Sequence, residues 1–370
     1  MRAAAGFAAF LAVAAVLVSG GSPSDSVRHR YLPASNELRT VERYGTERDV
    51  SVRSLGSPSP VRAHPDWLAA ARPLGDGAPP WARRMYTRSL LVLHALTDRR
   101  SGAVIAGARQ GWAYVWPRDA GAVAIAFAAA GYRGEARRIA RFLRGLDLTA
   151  AARFYANGAP VGGRDAQGDA AGWVAAAGRA AGLSAPPPAL GWRDGADYQE
   201  GDPGDYIGNA IASTAAMADS EERGKAARAI RNHFTASGGL IREADDPTSG
   251  FDSVAAWAVR PFSLPALYPF ARRTLLRLAA ASGRFGIVPS QDWAGGIDPW
   301  TAPTAWTAWG LAALDERRTA LRLMAELRRA ATAATMLPER VDARTGVPTS
   351  TTPLAWSHAF AVLALRQLWP

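Results

Sequence analysis

Three stretches of the 370-residue chain gather side chains able to act on a polar ligand. The first is Gly111-Trp112-Ala113-Tyr114-Val115-Trp116-Pro117-Arg118-Asp119-Ala120, with three aromatics and an Arg-Asp pair directly before a helix. An aromatic face stacks on the apolar side of a pyranose, and a charged pair makes bidentate contacts to its hydroxyls. The same residues also fit a plain role: Asp119 as a helix cap, Arg118 as its salt partner, the aromatics as core. The second stretch is the acidic loop Asp197-Tyr198-Gln199-Glu200-Gly201-Asp202, with Asp205 just beyond. The third is Leu337-Pro338-Glu339-Arg340-Val341-Asp342. Glutamates on separate loops can serve as a proton donor and a proton acceptor; otherwise they are ordinary solvated carboxylates.

Other chemistries drop out. The chain has no cysteine, which removes disulfides, thiolate nucleophiles, thiol-bound zinc and iron–sulfur clusters. Its five histidines are scattered without an HExxH pattern. GxxxxGK[ST] is absent, and so is a nucleophile elbow. Asp245-Asp246-Pro247 and Asp252 read as polar turns before they read as calcium ligands, so no metal site and no cofactor is expected. His358 reads as a hydrogen-bonded structural histidine, and Trp306 with Trp309 as core. The net charge of +11 invites a nucleic-acid partner, but 42 of the 43 basic residues are arginines spread along the chain. Clusters such as Arg137, Arg138 and Arg141 fit solvated helix faces, and no nucleic acid is expected.

The elements that must position these residues are helices. Residues 1–21 read as a secretory signal: Arg2, an apolar run from Ala3 to Val18, then small residues. That run is shorter than the roughly 20 residues a bilayer span needs, so a retained signal-anchor is second choice. The expected destination is outside the cell or in its envelope, with no stable membrane anchor after cleavage. Residues 22–80 form a Pro-, Gly- and Arg-rich lead-in, with one short helical stretch at Trp67–Ala71. From 81 to 370 the periodicity predicts helices over Trp81–Leu96, Asp119–Ala130, Gly134–Leu146, Asp169–Ala181, Asp205–Ala218 and Glu221–Phe234. The second half adds Asp252–Val259, Pro265–Ala281, Ala302–Leu314, Arg317–Ala333 and Leu354–Leu368. Asp119, Asp169 and Asp205 stand where N-caps belong. Strand-like alternation is nearly absent. Eleven or twelve helices joined in pairs by short turns suit an all-α toroid of helical hairpins.

Trp116-Pro117-Arg118-Asp119 resembles the W-x-R-D motif of the glucoamylase-like glycoside hydrolases of family 15, with their related trehalases and glucodextranases. Further blocks follow in that family's order. Arg164-Asp165-Ala166-Gln167-Gly168 is similar to the motif opening its next inner helix, and Ile297-Asp298-Pro299-Trp300-Thr301 to its G-N-P-W segment. Leu337 to Asp342, then Gly346 and Trp356-Ser357-His358-Ala359, are similar to its P-E-Q motif and closing helix. The resemblance implies an (α/α)6 barrel acting as an inverting exo-glycosidase, which releases glucose from the non-reducing end of an α-linked oligo- or polysaccharide. It also implies that Trp116 stacks beside the cleaved bond, Arg118 and Asp119 bind sugar hydroxyls, and Trp300 lines the pocket. Glu339 becomes the general base. The acid falls in the loop before the helix at Asp205, where spacing favours Glu200 over Asp202 or Asp205.

Several positions depart from that pattern. Gln199 precedes Glu200 where tryptophan is usual, and Asp298 replaces asparagine. Ser290-Gln291-Asp292 occupies a region where a sugar-binding cation is expected, and Arg340 follows Glu339 in place of glutamine. Two other expectations stand beside the main one: a trehalase or glucodextranase of the same family, and a catalytically silent, exported glycan-binding barrel. The chain is expected to act as a monomer.

Overall fold

The computed structural model describes residues 65–107, 111–183, 192–291 and 293–370, together with the backbone of an antiparallel hairpin, β1 (Arg28–Leu32) and β2 (Glu37–Val41). The signal segment at 1–21 lies outside the described residues. The hairpin falls inside the lead-in, which the sequence reading left without strands.

Twelve α-helices follow among the described residues. They are α1 (Pro65–Ala69), α2 (Pro80–Ala95), α3 (Pro117–Ala129), α4 (Arg133–Arg144), α5 (Ala170–Ala180) and α6 (Ile207–Ala216). Then come α7 (Ser220–His233), α8 (Ala255–Val259), α9 (Tyr268–Ala280), α10 (Thr301–Ala313), α11 (Arg317–Ala330) and α12 (Ala355–Leu368). A two-residue ladder, β3 (Thr235–Ala236) with β4 (Gly239–Leu240), follows α7.

Composition sorts the helices into two layers. In α4 the buried positions are Ala136, Ile139, Ala140 and Leu143, a spacing of three and four that leaves its arginines in water. In α11 the pattern recurs at Ala320, Leu323, Met324, Leu327 and Ala330. By contrast every residue of α6 is buried, as is nearly all of α3, α10 and α12, which carry no solvated face. These buried helices close a ring in the order α12–α3–α5–α6–α8–α10 and back to α12, an (α/α)6 barrel. Outside it α2 packs on α12, α4 on α3 and α5, α7 on α6, α9 on α8 and α10, and α11 on α10. Among the described residues the outer layer thus has five helices, and the connection from α5 to α6 is made without one.

Small residues let the inner helices approach closely. A Cβ on Gly172 of α5 would stand 2.3 Å from the Ala212 carbonyl oxygen of α6. Inside the ring the space is filled by rings: Trp173, Trp257, Trp306 and Phe360 are fully buried and meet at centroid separations of 5.1–5.8 Å. Trp306 and Trp309 are therefore core, as expected.

Capping departs from expectation. Helix α3 starts at Pro117, so Asp119 lies in its first turn and caps nothing. Asp169 precedes α5 but its side chain makes no cap bond, because it accepts from Arg118 instead. Asp205 accepts from Arg193 Nη1 and from the Asp194 amide, and α6 starts after Tyr206. The side-chain cap is Asp219, which accepts from the Glu222 amide 2.8 Å away and starts α7. Residues 265–281 split into a 3-10 turn at Pro265–Leu267 and α9.

Candidate active site

All six inner helices present their N-termini at one end of the barrel, and the loops entering them carry the polar residues singled out above. Unpaired amides and aligned peptide dipoles make such an end favourable for carboxylates. A cavity of about 150 Å³ opens there. Its lining brings together Trp116, Arg118, Asp119, Glu200, Trp300 and Glu339, the whole predicted site, from four different connections. Asp202 and Asp205 do not line it; Asp202 borders a second, wider cavity of about 510 Å³ that shares Arg164, Gln199 and Glu200 with the first.

Arg118 and Asp119 stand on the first turn of α3 and are almost wholly buried. Arg118 Nη1 donates to Gln167 Oε1 at 2.8 Å and to Asp169 Oδ2 at 3.0 Å, and the guanidinium lies 4.8 Å from the Trp356 ring centroid. Burial alone would lower its pKa; Asp169, then Asp119, reverse this and hold it above the ordinary value. Asp119 has the looser contact, 3.6 Å from Arg118 Nε. Burial pushes its carboxyl up to about 7; Arg118 opposes this, while Asp169 and Glu339 add to it.

Glu339 is fixed mainly through its backbone. Its amide donates to Thr351 O at 2.9 Å, and its carbonyl accepts from the Thr301 amide at the start of α10. The Ser350 hydroxyl donates to Glu339 Oε2. Two residues upstream, the Leu337 amide donates to His358 Nε2 at 2.9 Å. An accepting Nε2 requires the proton on Nδ1, so the neutral ring donates to Ser89 Oγ at 2.9 Å and ties α12 to α2. His358 is structural, as expected.

Glu200 sits on a tight turn with φ of 57°, its amide donating to Asp197 O. Trp116 Nε1 donates to Glu200 Oε1 at 2.9 Å, and Arg164 forms an ion pair with Oε2. Behind the turn a buried network holds Gln199. Arg242 Nη1 donates to Gln199 Oε1 at 2.9 Å, and its Nη2 to Asp197 Oδ2 at 2.7 Å. An arginine only donates, which fixes the amide's orientation. Gln199 Nε2 then donates to Tyr198 Oη at 3.0 Å, Ser290 Oγ at 3.2 Å and Asp252 Oδ2 at 3.3 Å. Two of the departures therefore touch: the glutamine in place of an aromatic meets the serine in place of a cation. Asp252 also accepts from Tyr198 Oη at 2.9 Å and from the Val254 amide, and burial pushes its carboxyl up to about 7.

The other departures lie off the cavity. Asp298 latches the loop after Glu339 by accepting from the Ala343 amide at 3.0 Å. Arg340 does not line the cavity; its guanidinium lies 6.0 Å from the Trp300 ring and 5.9 Å from that of Trp293. Asp245 pairs with His233, and Asp246 accepts from Thr248. No group of three or more His, Asp or Glu among the described residues is arranged to hold a metal ion. Sequence reasoning missed Arg153, Gln199 and Tyr198 as lining residues, and quoted Arg164 and Trp356 without giving them a role. Arg153 sits in no motif, and nothing in the sequence brings it to the cavity.

Residues 80–152 match the sequence profile of Glycosyl hydrolases family 15. Over the rest of the chain the likeness is structural. A glycosidase variant in complex with glucose superposes with a TM-score of 0.66 at 18% identity, covering 83% of this chain and 99% of that one. The two chains share the (α/α)6 fold. A bacterial glucoamylase complexed with acarbose superposes with a TM-score of 0.61 at 18% identity, over 82% of this chain and 57% of its own. The glucoamylase from Saccharomycopsis fibuligera gives 0.60 at 13% identity, over 80% and 97%. At these identities the structural likeness is one of fold. No curated protein matches the sequence significantly. The family 15 profile spans Trp116 to Asp119 and stops before Glu200 and Glu339.

Proposed function

We propose that the chain is an inverting, exo-acting glycoside hydrolase that releases glucose from the non-reducing end of an α-glucan or α-glucoside. The observation that carries this reading is that Glu200 and Glu339, from two separate loops, line one cavity with the aromatic and Arg-Asp residues of the family 15-like block. Inversion takes one carboxylic acid at the leaving oxygen and one carboxylate holding water, roughly 6.5–9.5 Å apart. Glu200, held by the Trp116 indole, donates its proton to the glycosidic oxygen as the bond to the anomeric carbon breaks. Glu339, held by Ser350, takes a proton from the water that attacks the opposite face. Arg118 and Asp119 bind hydroxyls of the terminal sugar. Trp300 and Trp356 also line the cavity, and their buried indole N–H groups have no hydrogen-bond partner among the described residues. This chemistry needs no organic cofactor. Export by the N-terminal segment belongs to the same proposal.

The test is release of glucose, with its anomeric form, from maltose, isomaltose, trehalose, soluble starch and dextran. β-Glucose from one of them, reduced about 10²–10⁴-fold in both Glu339→Gln and Glu200→Gln, is the expected result. Trehalose as the sole substrate would select the trehalase reading. Activity that survives Glu200→Gln would move the acid to Asp202 or Asp205. One contact favours a second reading: an ion pair with Arg164 stabilises Glu200 as a carboxylate, which suits a silent glycan-binding barrel. Binding of sugars without turnover by the wild type would establish it.

A further inference from the structure

Arg153 and Arg164 both come from the segment joining α4 to α5, and both line the first cavity; Arg164 also borders the second. The Arg153 guanidinium lies 4.9 Å from the Tyr114 ring and 5.7 Å from the Trp116 ring, with its Nε buried and without a partner among the described residues. Arg164 is exposed, with 39% of its side chain open to solvent. Loss of solvent lowers its pKa and Arg153 lowers it further, while Glu339 raises it. The ion-pair partner of Arg164 among the described residues is Glu200. That is a conflict under the glycosidase reading, because an acid must carry a proton and an adjacent guanidinium favours the carboxylate.

We propose that Arg153 and Arg164 together bind an anionic group, a carboxylate or a phosphate, on the leaving-group side of the substrate, and that this group takes Arg164 away from Glu200. The inference rests on the glycosidase reading above. Once Arg164 is engaged by the substrate, Glu200 takes up a proton from solvent and passes it to the glycosidic oxygen as the carbon–oxygen bond breaks. Glu339 accepts the proton of the attacking water. The other charged groups around Glu200 fix where the anion sits. Asp119 and Glu339 face the terminal sugar in the first cavity, and Asp165 and Asp202 are exposed on the second. An anion is repelled by both pairs and settles between them, beside Arg164, which both cavities share, and Arg153, which lines the first. Arginine's planar fork suits both ions.

Aryl α-glucosides differing only in a carboxamide, a carboxylate or a phosphate on the ring test this and separate the two anions. In the wild type, kcat/KM for a charged glucoside should exceed that for the amide by about tenfold or more, the worth of one charge-assisted hydrogen bond. Arg164→Gln should bring that ratio close to one and raise kcat on the amide, since Glu200 loses its ion-pair partner; a role limited to holding the loop would lower both. Arg153→Gln should reduce the ratio without raising kcat on the amide. Equal kcat/KM for the three glucosides, or a ratio that survives Arg164→Gln, overturns the proposal. If none is cleaved, the glycosidase reading fails separately and calorimetry reads the anion site. The charged glucosides should then bind about tenfold tighter than the amide, less so in high salt. Equal binding overturns the proposal by that route.

Discussion

Replacing Asp252 by Asn should flatten part of the pH dependence of folding stability. Asp252 is about 1% exposed, and burial raises its carboxyl from the ordinary 3.8 to about 7. A raised carboxyl pKa means the folded state holds a proton that the unfolded chain has released. Stability therefore falls as pH rises, starting above 3.8 and levelling off once the pH passes about 7. Over the full range the shift of about three pKa units amounts to roughly 4 kcal/mol. Between about pH 5 and about pH 8 the portion lost is about 2–3 kcal/mol. Asparagine keeps the shape and does not titrate, so the stability difference between wild type and Asp252→Asn should move by that amount in favour of the variant. Urea unfolding of both proteins across that range, with midpoint and slope read separately, measures it. A difference constant to within about 0.5 kcal/mol would refute the reasoning, because it would mean that Arg242 and the Tyr198 hydroxyl keep Asp252 ionised after folding.

Three further outcomes are expected. Gly172→Ala should push α5 from α6 and lower stability by about 1–3 kcal/mol, read as a fall in thermal midpoint with the helical spectrum retained. Gln199→Ala and Ser290→Ala should be non-additive by about 0.5–3 kcal/mol in a double-mutant cycle of stability, because their side chains bond each other. Trp116→Phe removes the indole donor to Glu200 and keeps a ring for stacking. It should lower kcat more than it raises KM on whichever sugar the wild type cleaves, by about tenfold for one lost hydrogen bond.

The helical layers were legible because periodicity is a local property: the spacing of Ala136, Ile139, Ala140 and Leu143 is visible without knowing what they pack on. The cavity residues Trp116, Arg118, Asp119, Trp300, Glu200 and Glu339 were legible because they sit in short blocks with a resemblance. Capping was misread at Asp119 because its helix already starts at Pro117, and at Asp169 and Asp205 because each has a partner distant in sequence or outside its helix. Asp169 is taken by Arg118, 51 positions away, and Asp205 by Arg193. Neither pairing leaves a trace in local spacing. The contact between Gln199 and Ser290 spans 91 positions, so two substitutions that look independent along the chain are one substitution in space. The outer layer of five helices among the described residues was equally hidden. Propensity shows that helices exist, and their number fits a ring, but which inner helix each outer one covers depends on who packs on whom.

The rings of Trp173, Trp257, Trp306 and Phe360 have a consequence for traffic. Among the described residues they make the barrel a vessel with a solid base rather than a tube, so a ligand arrives and departs on the side of the loops that carry Glu200 and Glu339. A polymer cannot be threaded through. If glucose is cut from its end, the shortened chain must back out before the freed sugar can follow, and the same chain is then no more probable a next customer than any other. With a long glucan, early products should be spread thinly over the whole population of chains rather than concentrated in a few that are consumed to the end.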